Sequence, residues 1–571
     1  MSLEVSNFFI VEAGVCGMKK WFIAVLAVAL VVAAAGWETY TVKVSSVEIN
    51  ALAVGPGGGA VLPIRVTLLT PGDGRAYVAG VPEAGQGFGP SAQIALYVAS
   101  RLSGVPYTNY TALLRVLASD AQVGGPSASG YITVAMYALM NGLQLRNDTA
   151  MTGIILPDGL IGPVGGVSQK VSAAAESGIK TALVPIGEAP SGVRGIKVVE
   201  IGTVEEAIYY LTGRRIPTPP ATAVDDSVFK AISRDLFNAI YSYYNQTVGR
   251  GYVDAAVIQS LKNKGYYYAA ASLIYQGVVN YYKDQAASSG RTYRNLYNQA
   301  LQMAKEAEAE LSRIPLTVNN IDLVVASYTR LYEVYFQANS SRPDAGVMYA
   351  RAVTLKSWVD EAKAMAYGPA INETGLAEVA RMYLDYAKAM YAYLETTYGV
   401  TLGDYATAVQ LAEDLYRRDL YLASMANSIE IIAETASALM SAAPDKYLNV
   451  ARERALTNMA RAAACGYTNT LPLSYLQFGD YYSGEGGNPQ NALTYYIMAS
   501  IYSTAMGDVS CMAAKGNVTL PRVNFSPPPQ TPVKTTATTA SPAVHGEEKG
   551  LWFVLILALL AAVALIYASR R

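Results

Sequence analysis

At 571 residues the chain exceeds what one hydrophobic core organises, so two or three folded units with connectors are expected. Lys and Arg number 43 against 44 Asp and Glu, and charged residues are only 15% of the chain; without a broad basic surface, nucleic acid is excluded as a partner. The single histidine, His545, stands in a Pro/Thr-rich stretch, which rules against histidine-dependent catalysis and histidine-ligated metal sites; no cofactor is expected.

Residues 1–36 contain "MKKWFIAVLAVALVVAAAG", with two lysines, an apolar run from Trp21 to Val32 and small residues after it. This order predicts a secretory signal starting at Met18, or an uncleaved anchor. From 42 to 216, "TYTVKVSSVEINALAVG", "GAVLPIRVTLL", "GRAYVAGV" and "TALLRVLAS" alternate like strands, and "PSAQIALYVASRLSG" reads as a helix ending at Gly104. The glycine cluster at 55–59 lies between two strands and lacks a following Lys-Ser/Thr pair, so it reads as a hairpin loop and not a phosphate cradle.

From 217 to 515 the pattern changes to long helices rich in alanine and tyrosine. Leu376, Val379, Tyr383, Tyr386, Met390 and Tyr393 recur at steps of three and four, predicting one face of a helix that stops near Gly399. A second helix is predicted from Tyr293 to Arg313, ending before Pro315. "KGYYYAAASLIYQGVVNYY" and "NALTYYIMASIYSTAMG" share the spacing of paired helices, as in tetratricopeptide-like arrays, without a fixed period. The tyrosine stripes suit either a peptide-binding groove or ordinary packing.

Residues 516–549 read as an extended stalk, and 550–571 as a transmembrane helix built on the uncharged run Leu551–Ser569 with Arg570 and Arg571 as a cytoplasmic tail. These features predict a cell-membrane protein, single-pass at its C-terminus, with the bulk of the chain outside the cytoplasm. Cys465 and Cys511 can then form one disulfide or stay as two thiols.

The chemistry is carried by "VGGPSASGYITVAMYALMNG" and "AMTGIILPDGLIGPVGGVSQKVSAAAESGIKTALVP". A glycine-flanked serine, a helix, an Ala-Met-Thr-Gly stretch, a Gly-Gly-x-x-x-Lys segment and a helix leading into a buried strand follow in order. From about Val47 to Pro185 the chain resembles the proteolytic domain of Lon-type Ser/Lys peptidases, including Lon-like archaeal serine proteases. The resemblance implies an α+β proteolytic fold, Ser127 as nucleophile, Lys170 as general base and Thr152 as the residue that holds the lysine.

The physical logic agrees with those roles. A lysine accepts a proton near neutral pH only if burial lowers its pKa from about 10.4. Gly124 and Gly125 let the chain approach a substrate closely, and the Ser127 amide can donate to a developing oxyanion, which Pro126 cannot. "SGIK", with Ser177 and Lys180 at S-x-x-K spacing, lacks its companion motifs and reads as a helix end. Many Lon proteases carry an acid three positions before the serine, where this chain has Gly124. No G-x-x-x-x-G-K-[ST] segment occurs, so ATP-driven unfolding is not expected.

The expected fold is thus an α+β Lon-type domain (42–216), a mostly α-helical domain (217–515), a stalk and a transmembrane helix. The expected function is a membrane-anchored, extracytoplasmic serine endopeptidase using a Ser-Lys dyad without ATP on peptide or unfolded protein substrates; a homo-oligomer is compatible with the sequence. The alternative is a surface scaffold or peptide-binding protein with an inactive or self-cleaving Lon-like domain.

Overall fold

Alternating apolar residues build the first two strands. β1 (Lys43–Gly55) and β2 (Gly58–Thr70) pair antiparallel from Lys43 opposite Thr70 to Gly55 opposite Gly58, so the glycine cluster closes a hairpin. Ile49 and Ala51 on β1, and Ile64, Val66 and Leu68 on β2, turn inward at every second position. The computed structural model describes residues 42–55, 57–79, 87–117, 125–219, 224–249, 251–373, 375–403 and 405–514.

The remaining strands are β3 (Ala76–Ala79), β4 (Thr111–Val116), β5 (Thr149–Met151), β6 (Ile154–Ile155), β7 (Ile161–Gly162), β8 (Thr181–Pro185) and β9 (Lys197–Ile201). Seven form one sheet in the order β3-β4-β2-β1-β5-β8-β9, and β6 and β7 form a separate small hairpin. β5, β8 and β9 run parallel to one another, and the connection from β5 to β8 passes through the helix Val167–Glu176. Four helices accompany the strands: α1 (Phe88–Leu102), α2 (Ser129–Asn141), α3 (Val167–Glu176) and α4 (Val204–Thr212). α3 packs on β1 and β2, and α1, α2 and α4 form a packed layer. Gly178, at φ 78°, follows the end of α3, so Ser177 and Lys180 do lie at a helix end.

The rest of the described chain is helical: α5 (Ser227–Tyr243), α6 (Ala255–Asn263), α7 (Tyr267–Ser288), α8 (Gly290–Leu311), α9 (Ile321–Ala338), α10 (Ala345–Ala364), α11 (Leu376–Tyr398), α12 (Tyr405–Arg417), α13 (Tyr421–Leu439), α14 (Pro444–Ala463), α15 (Thr470–Ser483) and α16 (Pro489–Ala514). α11 stops at Gly399, whose φ of 66° suits a glycine C-cap. α7 packs against α10 and also α15, and α9 reaches α15. A linear stack in which each repeat meets only its neighbours does not make such contacts, so the array expected from the helix spacing is a folded-back bundle. A disulfide joins Cys465 and Cys511, whose Cα atoms are 4.9 Å apart.

The α+β and helical regions share one core, which runs from Ile49 and Val66 through Tyr97 to Tyr383, Tyr386 and Met440. Both lie within a single compact unit, Met1–Leu520. Buried polar contacts stitch them together. Arg454 of α14 donates from Nε to the Asp158 carbonyl at 2.7 Å and pairs with Glu205 of α4 at 2.6 Å; Ser500 of α16 donates to the Asp158 carboxylate at 2.6 Å. Burial pushes Glu205 upward, but the guanidinium groups of Arg454 and Arg461 outweigh it and hold the carboxyl below its ordinary range.

The expected membrane span is corrected here. Among the described residues no helix is long and apolar enough to cross a membrane. The longest, α16, is interrupted by Thr494, Ser500, Ser503, Thr504 and Asp508, whereas a span needs about 20 predominantly apolar residues. The stretches behind the expectation, within 1–36 and 550–571, lie outside the described residues, as do the stalk at 516–549 and His545. A membrane anchor, a membrane partner and a cell-membrane location with the bulk of the chain outside are therefore not supported.

Candidate functional site

Ser127 sits in a short 3₁₀ turn, Pro126–Ala128, that opens α2. Pro126 fills the first turn position, where a missing N–H costs nothing. This turn is sewn to the segment after β5. The Ser127 carbonyl accepts from Gly153 N–H at 2.9 Å and from the Thr152 hydroxyl at 3.3 Å. Two residues on, the Ser129 hydroxyl accepts from Ile155 N–H at 3.0 Å, and Gly130 N–H donates to the Gly153 carbonyl at 3.0 Å. Packing at Gly130 is tight: a Cβ there would stand 2.6 Å from the Met151 methyl and 3.0 Å from the Gly153 carbonyl oxygen.

Lys170 stands on the first turn of α3, whose N-cap Gly166 takes φ 69°, a left-handed conformation suited to glycine. The side chain is only 3% exposed, and its Nζ donates to Thr152 Oγ1 at 3.3 Å. Thr152 has one hydroxyl proton, and it is directed at the Ser127 carbonyl; a lone pair is thereby left for the lysine. Thr152 thus links the serine turn to the amine. Burial lowers the Lys170 pKa to about 8, with Glu188 opposing.

Glu188 follows β8, and burial raises its carboxyl to about 7; its Oε2 accepts from Val164 N–H at 3.1 Å. The next amide, Gly165 N–H, donates to the Tyr393 hydroxyl on α11 at 3.0 Å. Two turns earlier on α11, Tyr386 donates to the Ile155 carbonyl.

Ser127, Thr152 and Lys170, taken from three separate segments, are therefore brought to one place. Gly125 precedes the serine turn in extended conformation, and Gly124 lies outside the described residues. Cys465 and Cys511 belong to the helical region, on and beside α14 and α16. Glu188 and Tyr393 were not expected. Glu188 stands in "VPIGEAP" with no motif around it, and Tyr393 looks like any other member of its helical stripe.

An arrangement of a half-buried hydroxyl and a buried amine of lowered pKa can carry out nucleophilic acyl transfer. Residues 37–205 match the Lon protease (S16) C-terminal proteolytic domain. The chain is 40% identical over 140 residues to the Lon protease of Phenylobacterium zucineum, covering 24% of this chain and 17% of that protein. It is 34% identical over 168 residues to the Lon protease of Fervidobacterium nodosum, covering 28% and 20%. To the mitochondrial Lon protease homolog of Oryza sativa subsp. japonica it is 31% identical over 162 residues, covering 26% and 16%. The α+β region is thus a Lon-type proteolytic domain, homologous to bacterial and plant Lon proteases; these relatives carry no archaeal assignment. The chain spans a fifth or less of the length of each of these three relatives.

Proposed function

We propose that this protein is a serine endopeptidase of the Lon-like type, with Ser127 as nucleophile and Lys170 as general base. The observation that carries the reading is the buried Lys170 amine, donating to Thr152, whose own proton goes to the Ser127 carbonyl. A lysine with a pKa of about 8 is part neutral at physiological pH and can take the Ser127 proton as the hydroxyl attacks a peptide carbonyl. The same proton then passes to the leaving amine as the C–N bond breaks. Water, deprotonated by the neutral lysine, hydrolyses the acyl-enzyme and restores the serine.

The oxyanion formed in each step is served by the Ser127 N–H at the opening of its turn, where helical amides lack intrahelical partners. Thr152 keeps the lysine aimed. The sequence contains no G-x-x-x-x-G-K-[ST] segment, and we propose hydrolysis without ATP, on peptides and unfolded chains that need no mechanical unfolding.

The test is digestion of casein by the full chain with and without ATP, beside Ser127→Ala and Lys170→Ala. Hydrolysis that ignores ATP and vanishes in both variants is expected. Activity surviving both substitutions overturns the dyad, and a protein that binds casein without cutting it returns the reading to a scaffold.

A further inference from the structure

The helical region places one side chain against both halves of the proposed site. Tyr393 accepts, through its hydroxyl oxygen, the hydrogen bond from Gly165 N–H at 3.0 Å. Its ring faces Gly125, where a Cβ would stand 3.2 Å from the ring's Cε2. Gly125 leads directly into the turn that carries Ser127. Gly165 precedes Gly166, whose carbonyl accepts from the Lys170 N–H at 3.0 Å in the first turn of α3.

The approach is close at both ends. A Cβ on Gly165 would stand 2.9 Å from Thr397 Cγ2, one turn further along α11. The neighbouring amide, Val164 N–H, is held by Glu188 at 3.1 Å, so two consecutive amides before α3 are anchored, one from the α+β region and one from the helical region. Tyrosine suits this place because its ring packs while its polar tip finds a partner.

We infer that Tyr393 is a positioning residue for hydrolysis, holding the serine turn and the lysine helix at a fixed separation, an inference that rests on the Ser127–Lys170 reading above. It acts through backbone at Gly125 and Gly165 and not on the reacting atoms. The helical region is on this account a working part of the hydrolytic site.

The test uses the full chain, fluorescently labelled casein, and the variants Tyr393→Phe and Tyr393→Ala, with kcat, KM and Tm measured for each. Phe keeps the ring and loses the hydrogen bond; kcat should fall roughly 3- to 10-fold with KM unchanged and Tm within about 2 °C. Ala removes both anchors, and kcat should fall about 100-fold, the cost of an ångström-scale misplacement, so that Phe rescues most of the loss. Wild-type kcat in both variants overturns the inference, as does a rise in KM at constant kcat, which would make Tyr393 a substrate contact. A kcat loss that merely follows Tm and recovers on cooling also overturns it. Should the Ala variant not fold, the Phe variant decides alone. Ser127→Ala and Lys170→Ala run in parallel: activity surviving in them removes the underlying reading, whereas their inactivity beside wild-type kcat in the Tyr393 variants removes this inference alone.

Discussion

The α+β region and the helical region hold themselves together by different means. In the first, short segments are fixed backbone to backbone: β5 has three residues, β6 and β7 two each, and the serine turn is bonded to the segment after β5 through main-chain groups on both sides. In the second, long helices pack through side chains, and single side chains reach out to backbone of the other region: Tyr386 to Ile155, Tyr393 to Gly165, Arg454 to Asp158. Backbone bonding fixes positions to fractions of an ångström, which acyl transfer requires; side-chain packing supplies burial, which a neutral lysine requires.

The sharpest way to break this comparison is at the chemistry itself. Ser127→Ala or Lys170→Ala should lower kcat/KM roughly 10³-fold or more while leaving the far-ultraviolet dichroism of both regions intact. Loss of helical signal in either variant would mean that the site is structural.

Next in size is the seam. Arg454→Met leaves Glu205 with Arg461 alone, and should cost about 3 kcal/mol in denaturant unfolding, the penalty for stranding a buried charge. An unchanged midpoint would show that the two regions unfold independently of this contact. Within the helical region, replacing both Cys465 and Cys511 by serine opens a crosslink between residues 46 apart and should cost about 2–4 kcal/mol, with kcat at room temperature unchanged. A fall in kcat there would mean that the packing of the helical bundle is coupled to the site.

The smallest effect concerns pH. On the proposed dyad Lys170 accepts a proton only when neutral, so kcat/KM should rise with pH through a midpoint near the lysine's value of about 8. Glu188, charged above about 7, favours the protonated lysine; Glu188→Gln removes that anion and should move the midpoint downward, by less than about one unit. A shift upward would assign the rise to some other group.

Much of the α+β region is legible in the sequence because its constraints are local. The hairpin at Gly55–Gly58, the glycine-flanked serine and the Gly165–Gly166 entry to α3 each need a residue type that only a few conformations explain. Ser127, Thr152 and Lys170 enter through the resemblance to Lon-type Ser/Lys peptidases, and spacing alone would not single them out. The stop of α11 at Gly399 and its buried face follow from periodicity. What periodicity does not separate is Tyr393 from Tyr383 and Tyr386: all three fall on one stripe, yet Tyr383 and Tyr386 are fully buried in the core, whereas Tyr393 is half-buried at the site. Glu188 is hidden for the same reason, since its partners are an amide and an amine from other segments. The sequence leaves Cys465 and Cys511 open between one disulfide and two thiols; helix packing, which brings their Cα atoms to 4.9 Å, decides for the bond. The expected membrane span rests on stretches that lie outside the described residues, and no described helix replaces it.

The bond from Arg454 to the Asp158 carbonyl joins positions 296 apart. A ribosome emits the earlier partner long before the later one exists. The β6–β7 tip therefore keeps its carbonyl and the Glu205 carboxylate open to water until α14 has been made and can cover them.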